Sequence, residues 1–257
     1  MSMRLSIILA GLVLIAGVAF AVDRVSDNGT KSYSWRYKMT VEVETPEGLK
    51  SGSAVREVDI KFLYHFNPGS NSQYVVRASV IGEAVVVDLG ARGAAFAVLP
   101  SGAYLDVTQT IEGPPPLTLE GEEYYSSLAI GTKANMTPDH YPWLYTFTDL
   151  NDPMSVKLVK GGRFNVKQQK NIMEDNFESI FGQGVTLKSV SVEITDEPIT
   201  WGIEKWLPWL PERKNIKGYL GGNSKPPYDD PTKTYLNGVE FSRGKFGSIR
   251  KDNKNER

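Results

Sequence analysis

A stretch of strict alternation constrains this chain more than anything else in its sequence. Trp35, Tyr37, Met39, Val41 and Val43 alternate with Arg36, Lys38, Thr40, Glu42 and Glu44. A period of two puts the apolar set on one face of an extended strand and the charged set on the other. A helix would scatter both sets around its axis, so the segment predicts a strand with one buried face. Thr45-Pro46-Glu47-Gly48 then suits a β-turn, Pro fixing the second position and Gly free for the fourth. In the return strand, Leu49–Phe66, the side chains of Val58, Ile60, Phe62, Tyr64 and Phe66 share a face. Ser51-Gly52-Ser53 interrupts its start with small residues, which predicts a bulge or a close backbone approach.

The same logic carries further along the chain. Gln73–Leu89 is rich in Val with Gly82 in the middle, and reads as two strands or one bent strand. Gly90–Gly93 turns the chain into Ala94–Leu99, and Tyr104–Ile111 is a further candidate strand. Together these segments predict an antiparallel meander. Pro114 to Pro116 have no amide donor, so 112–123 is a loop or a boundary between two sub-lobes. Tyr124–Thr132 is a candidate short helix. Tyr141–Thr148 and Ser155–Val159 pair around the turn Asp149–Pro153. Phe177, Ile180 and Phe181 have helical spacing, with Gly182 where a C-terminal cap would sit. Val190, Val192 and Ile194 share one face of a strand over Val185–Thr195. Thr200–Leu207 reads as a helical segment stopped by Pro208, and Tyr235–Phe241 as a small hairpin. The expected fold is mainly β: an antiparallel β-sandwich or open barrel with one or two short helices, spanning 34–210.

What flanks that domain bears on where the protein resides. Leu5–Val22 is an uncharged run of 18 residues preceded by Arg4. As a helix it measures about 27 Å, just under the hydrocarbon thickness of a bilayer. Ala19-Phe20-Ala21 is also an A-x-A sequence at which a signal peptidase would cut, leaving Val22 first. Residues 1–22 are therefore a membrane anchor or a signal peptide, and 23–33 a polar stalk. Either reading places the body outside the cytoplasm. An uncleaved segment gives an inner-membrane protein facing the periplasm, and a cleaved one a periplasmic protein. Residues 211–257 carry 11 basic against 6 acidic groups and read as a polar tail whose last residues are disordered. The chain as a whole is balanced, at 29 basic against 30 acidic residues, which gives its folded part no electrostatic footprint for nucleic acid.

Residue types restrict the chemistry. There is no cysteine, so disulfides, thiolate metal sites and cysteine nucleophiles are excluded. His65 and His140 are the only histidines; His65 sits opposite the apolar face of its strand, and His140 lies in a proline-bounded loop beside Asp139. Neither has a second histidine at ligand spacing, and no G-x-S-x-G or H-E-x-x-H accompanies them. Gly161-Gly162 and Gly221-Gly222 lack the strand-to-helix context of a phosphate loop. Carboxylate pairs are the remaining enzymatic option: Asp149 with Asp152, Glu122 with Glu123, and Asp196 with Glu197. Each is more simply a turn or loop group. No cofactor and no metal ligand set is indicated. Trp201, Trp206, Leu207, Trp209 and Leu210 form an aromatic cluster with two readings: an interaction patch, or the plug that closes the open end of a β-sheet core.

Four segments occur together in one order: WRYKMTVEVETPEGLKSGSAV (Trp35–Val55), GEAVVVDLG (Gly82–Gly90), FTDLNDPMSVKLV (Phe147–Val159) and VEITDEPITWGIEKWLPWL (Val192–Leu210). In these the chain resembles a family of bacterial, mainly proteobacterial, proteins with a hydrophobic N-terminal segment. The resemblance implies an envelope setting and one shared architecture, and carries over no reaction, ligand or catalytic residue. Three expectations follow. The first is a membrane-tethered extracytoplasmic envelope protein that binds or scaffolds an envelope protein partner. The second is a periplasmic hydrolase using paired carboxylates, on a substrate such as a glycan. The third is an accessory subunit of a membrane protein assembly.

Overall fold

The computed structural model describes residues 30–64, 74–165, 170–216, 219–221 and 236–246. The apolar segment 1–22, most of the stalk, His65 and the end of the tail lie outside these. Two antiparallel sheets stack face to face. The chain starts with β1 (Lys31–Glu44) and β2 (Lys50–Tyr64), joined by the turn that the sequence predicts. Gly48 closes that turn at φ +112°, where an L side chain would be strained, and its amide donates to the Thr45 carbonyl at 2.9 Å. The alternation has the expected result: Trp35, Tyr37, Met39, Val41 and Val43 are all buried on one face.

β3 (Tyr74–Glu83) pairs with β2, after which the chain leaves the sheet through Ala84. β4 (Val85–Asp88) and β5 (Ala94–Ala97) form a hairpin in the second sheet, around a 3₁₀ turn at Gly90–Arg92. The meander passes from the first sheet to the second where Gln73–Leu89 divides into two strands, one of the two alternatives that the sequence allows. The close approach expected near Gly52 is real: β4 crosses there, and a Cβ on Gly52 would lie 1.9 Å from the Val86 carbonyl oxygen.

Ala103–Ile111 is a helix, α1, and corrects the strand expected over Tyr104–Ile111. Its β-branched residues favour a strand locally, but the positions that reach the core, Tyr104, Val107 and Thr108, recur at helical spacing. Tertiary burial outweighs local propensity here. α2 (Leu119–Ser127) starts from Thr118, whose hydroxyl accepts from the Gly121 amide at 3.0 Å. It lies against β1, with Tyr125 stacked beside Trp35. β6 (Lys133–Asn135), β7 (Leu144–Phe147), β8 (Val156–Asn165) and β9 (Lys170–Asp175) follow. The short helix α3 (Phe177–Phe181) ends at Gly182 as expected, and β10 (Thr186–Ile194) returns to pair with β1. Ser242–Arg243 supplies β11. The orders are β11-β3-β2-β1-β10-β6 and β4-β5-β7-β8-β9. Among the described residues this is two separate sheets, a sandwich rather than a barrel.

The second sheet is a middle layer. Ala95, Ala97, Leu144 and Val159 face β1 and β2, while Ala94, Phe96, Tyr145, Phe147 and Leu158 face the other way. That far side is covered by the C-terminal part of the chain: Ile203, Leu207, Leu210, Leu220, Leu236 and Phe241. Only a 3₁₀ turn at Ile203–Lys205 forms in the Thr200–Leu207 segment, where a helix was expected. Gly202 at φ +132° precedes it, and the chain must follow the sheet surface. Instead of a hairpin, the described residues from Leu236 hold a 3₁₀ turn at Gly238–Glu240, capped by Asn237. Packed residues therefore continue past Leu210, where the sequence placed the start of a polar tail, as far as β11.

Candidate functional site

The polar groups inside this sandwich are the first place to look for chemistry. Arg56 lies on the inner face of β2 with no exposed surface. Its Nε donates to the Glu83 carbonyl and its Nη2 to the Ala97 carbonyl, each at 3.0 Å, and its Nη1 approaches the Met39 sulfur at 3.3 Å. The Tyr37 hydroxyl, opposite it on β1, faces the guanidinium without a well-formed hydrogen bond. Burial pulls the Arg56 pKa down and pushes that of Tyr37 up. One cation thus ties β2 to the ends of β3 and β5. Its bond to Ala97 crosses from the first sheet to the second.

Glu83 works in the opposite direction from the same corner. One carboxylate oxygen accepts from the Ile203 amide at 2.9 Å and the other faces the Ser242 hydroxyl at 3.4 Å. Glu122 accepts from the Leu117 amide at 2.9 Å and from the Trp35 indole at 3.4 Å, fixing the proline loop in which Leu117 stands at φ +62°. Glu122 is buried whereas Glu123 is exposed, so that pair does not converge on one site. Asp149 and Asp152 each accept from an amide two residues ahead, which is turn chemistry. Glu197 pairs with Lys38 at 2.7 Å on the surface. His140 meets Asp106 of α1, its Nδ1 3.3 Å from the carboxylate. The sequence could not supply that partner, because it comes from a segment read as a strand. Among the described residues, no three His, Asp or Glu groups gather as a metal site would require. His65 and Gly222 lie outside the described residues.

Four carboxyls, Glu83 and Glu122 buried and Asp106 and Glu240 half-buried, set a pH signature. Burial raises the pKa of Glu83, Asp106, Glu122 and Glu240, against partial compensation from their hydrogen bonds and charged neighbours. The folded chain therefore binds protons that the unfolded chain has released, between the ordinary carboxylate pKa and the raised one. Stability rises as pH falls through that window. The expected result is a higher urea midpoint at mildly acidic pH than at neutral pH, diminished in Glu122→Gln. A midpoint that drops on mild acidification would contradict the burial argument.

The aromatic cluster divides. Leu207 and Leu210 have no exposed surface, and Trp206 and Trp209 pack against the second core. Trp209 donates its indole N–H to the Leu150 carbonyl at 3.1 Å, and its ring lies 5.6 Å from Phe147 and 6.2 Å from Phe241. Trp201 alone is exposed, with Lys245 above its ring. Trp209→Ala should cost about 2–3 kcal/mol and Trp201→Ala under about 0.5 kcal/mol, read from urea unfolding. Equal costs would return the whole cluster to the surface.

Among the described residues, exposed apolar side chains stand close together in two places. The first is β9, the outer strand of the second sheet, where Met173 is 62% exposed and Ile172 is also open. Trp143 is exposed and sits over Gly161 of β8, the neighbouring strand. β8 runs past its last partner on β7, so from Gly161 to Asn165 it pairs with β9 alone. The second region is the far end of β2 and β3, where Tyr64 and Val75 are exposed. Among the described residues, no helix is long and apolar enough to cross a membrane; the run Leu5–Val22 lies outside them. Comparison with family models, with curated proteins and with solved structures finds no match.

Proposed function

We propose that this is a membrane-tethered extracytoplasmic protein whose β body binds another envelope protein, as a scaffold or as the accessory subunit of an assembly. The observation that carries the binding part is the open edge of β9. Its outer hydrogen-bonding side meets no other strand among the described residues. An unpaired strand edge is a template for a further strand, and proteins that remain monomeric blunt such edges with charge or proline. Here Ile172 and Met173 stand exposed at the centre of the edge, and the charged residues of β9, Lys170, Glu174 and Asp175, are confined to its two ends. Main-chain hydrogen bonds would supply affinity and these side chains selectivity. The tether is Leu5–Val22, from which eight residues, 23–30, lead to β1. At full extension they reach at most about 27 Å, so the body stays near the bilayer.

The test is fractionation with intact-mass measurement, followed by in-cell photo-crosslinking from Met173. An intact chain in the membrane fraction that crosslinks to a discrete envelope protein supports the proposal. A soluble chain beginning at Val22 overturns the tether. An intact membrane-bound chain that forms no adduct from Met173, in cells where a probe at another exposed site does react, overturns the edge.

A further inference from the structure

We infer that the far end of β2 and β3 is a bilayer-contact surface that takes an anionic lipid interface; this rests on the reading of Leu5–Val22 as a membrane segment. The argument begins with register. β2 runs from the turn at Thr45–Gly48 past Arg56 to Tyr64, and Lys31, the first residue of β1, pairs with Phe62. The chain therefore enters the fold at the end of the sheet opposite the turn. Whatever lies beyond Val22 is attached there.

That end is built differently from the rest of the sheet. On the inner face, an aromatic series continues out of the core. Tyr33 meets Phe62 edge to face at 6.0 Å, Phe62 meets Tyr74 at 6.3 Å, and Tyr74 meets Tyr64 at 5.8 Å. Phe62 is 3% exposed, Tyr74 half-buried, and Tyr64 48% exposed, so the series emerges from cover as it approaches the end. On the opposite face Val75 is 45% exposed. Apolar side chains thus leave both faces of the hairpin at one place. A sheet end in water normally keeps at least one face polar.

Among the described residues, the charges around it have one dominant sign. Lys31, Lys61 and Arg77 stand at this end, and Lys61 and Arg77 are opposite each other across β2 and β3. The acidic group among them is Asp59, which is paired with Lys61 at 3.4 Å. Tyrosine rings with a polar tip, flanked by lysine and arginine, have the chemistry of side chains at a bilayer interface. Each basic group near an anionic leaflet adds to the attraction, so the contributions of the three accumulate. The surface also lies beside the point where the tether joins. Attachment and contact then act together: a short linker raises the effective concentration of the second contact without any new bond.

The absence of cysteine makes the experiment clean, since a single introduced thiol reports one position. The full chain is reconstituted into vesicles of phosphatidylcholine and phosphatidylglycerol that carry a brominated lipid. An environment-sensitive fluorophore is placed at Val75→Cys or, as control, at Leu49→Cys. Leu49 is exposed but lies at the turn end. The expected result is quenching at 75 several-fold greater than at 49, falling several-fold when Lys61→Glu and Arg77→Glu are added. If the chain floats with vesicles while 75 and 49 are equally unquenched or equally quenched, the contact surface is wrong and the tether stands. If the chain fails to float with vesicles, the tether itself falls, and this surface with it.

Discussion

Gly52→Ala should cost at least about 3 kcal/mol, the upper end of what overpacking a core commonly costs. The reason is which atoms the new methyl meets. Its carbon would sit 1.9 Å from the Val86 carbonyl oxygen and 2.7 Å from the Val86 carbonyl carbon. Both belong to the backbone of β4, so no rotamer change relieves the clash. β4 cannot retreat freely either, because its other side pairs with β5. The two sheets would have to separate locally, and Val85 and Val87, buried between them, would lose contact. Gly48→Ala is the control. Its site has nothing within 4 Å, so only the strain of φ +112° is felt, at about 1–2 kcal/mol. Urea unfolding of both variants decides the matter. A Gly52→Ala loss no larger than that of Gly48→Ala would mean that the sheets do not approach as closely as described.

The first sheet was legible because water touches one of its faces. Each buried residue of β1 has an exposed or half-exposed neighbour, and the pattern names the face as well as the strand. The second sheet has no such contrast. VVVD, AAFA and LYTF are near-continuous apolar runs because β4, β5 and β7 are covered on both sides. Their existence could be read, but not which residues face β2 and which face the C-terminal covering. That covering was missed for a related reason. Leu220, Leu236 and Phe241 are isolated apolar residues in polar surroundings, with no period that would mark an element. They fold as a wrap, held at points such as the Glu83 carboxylate and the Ile203 amide, and such points have no sequence signature.

The candidate residues show the same division. The aromatic segment ending at Leu210 is visible as a cluster, but Leu207 and Leu210 are buried against a face of the second sheet and not at the open end of a core, and of the five only Trp201 stands open. Arg56 was overlooked although it lies on the same face as Val58 and Ile60. A charge there breaks the alternation, so the unbroken apolar pattern of the inner face starts two residues later, at Val58. Ala54 on its other side was the available signal: the period continues through Arg56 without a slip. A cation on the apolar face of a strand whose register does not change has to find carbonyls or a carboxylate inside.

That requirement makes Arg56→Ala the second large effect, at about 4 kcal/mol. Truncation leaves the Glu83 and Ala97 carbonyls without their donor, at about 1–3 kcal/mol each, and opens a void where the side chain packed. Arg56→Lys should recover less than half of the loss. One ammonium cannot reproduce a planar fork that reaches two strands from fixed positions. Arg56→Met separates the two contributions. It fills most of the volume and removes the cost of burying a charge, yet still abandons both carbonyls. If hydrogen bonding to the strand ends is what joins the sheets, Met falls between Ala and wild type in urea midpoint. If Met matches or exceeds wild type, desolvation of the guanidinium cancels its bonds, and the sandwich is held by its apolar layers alone.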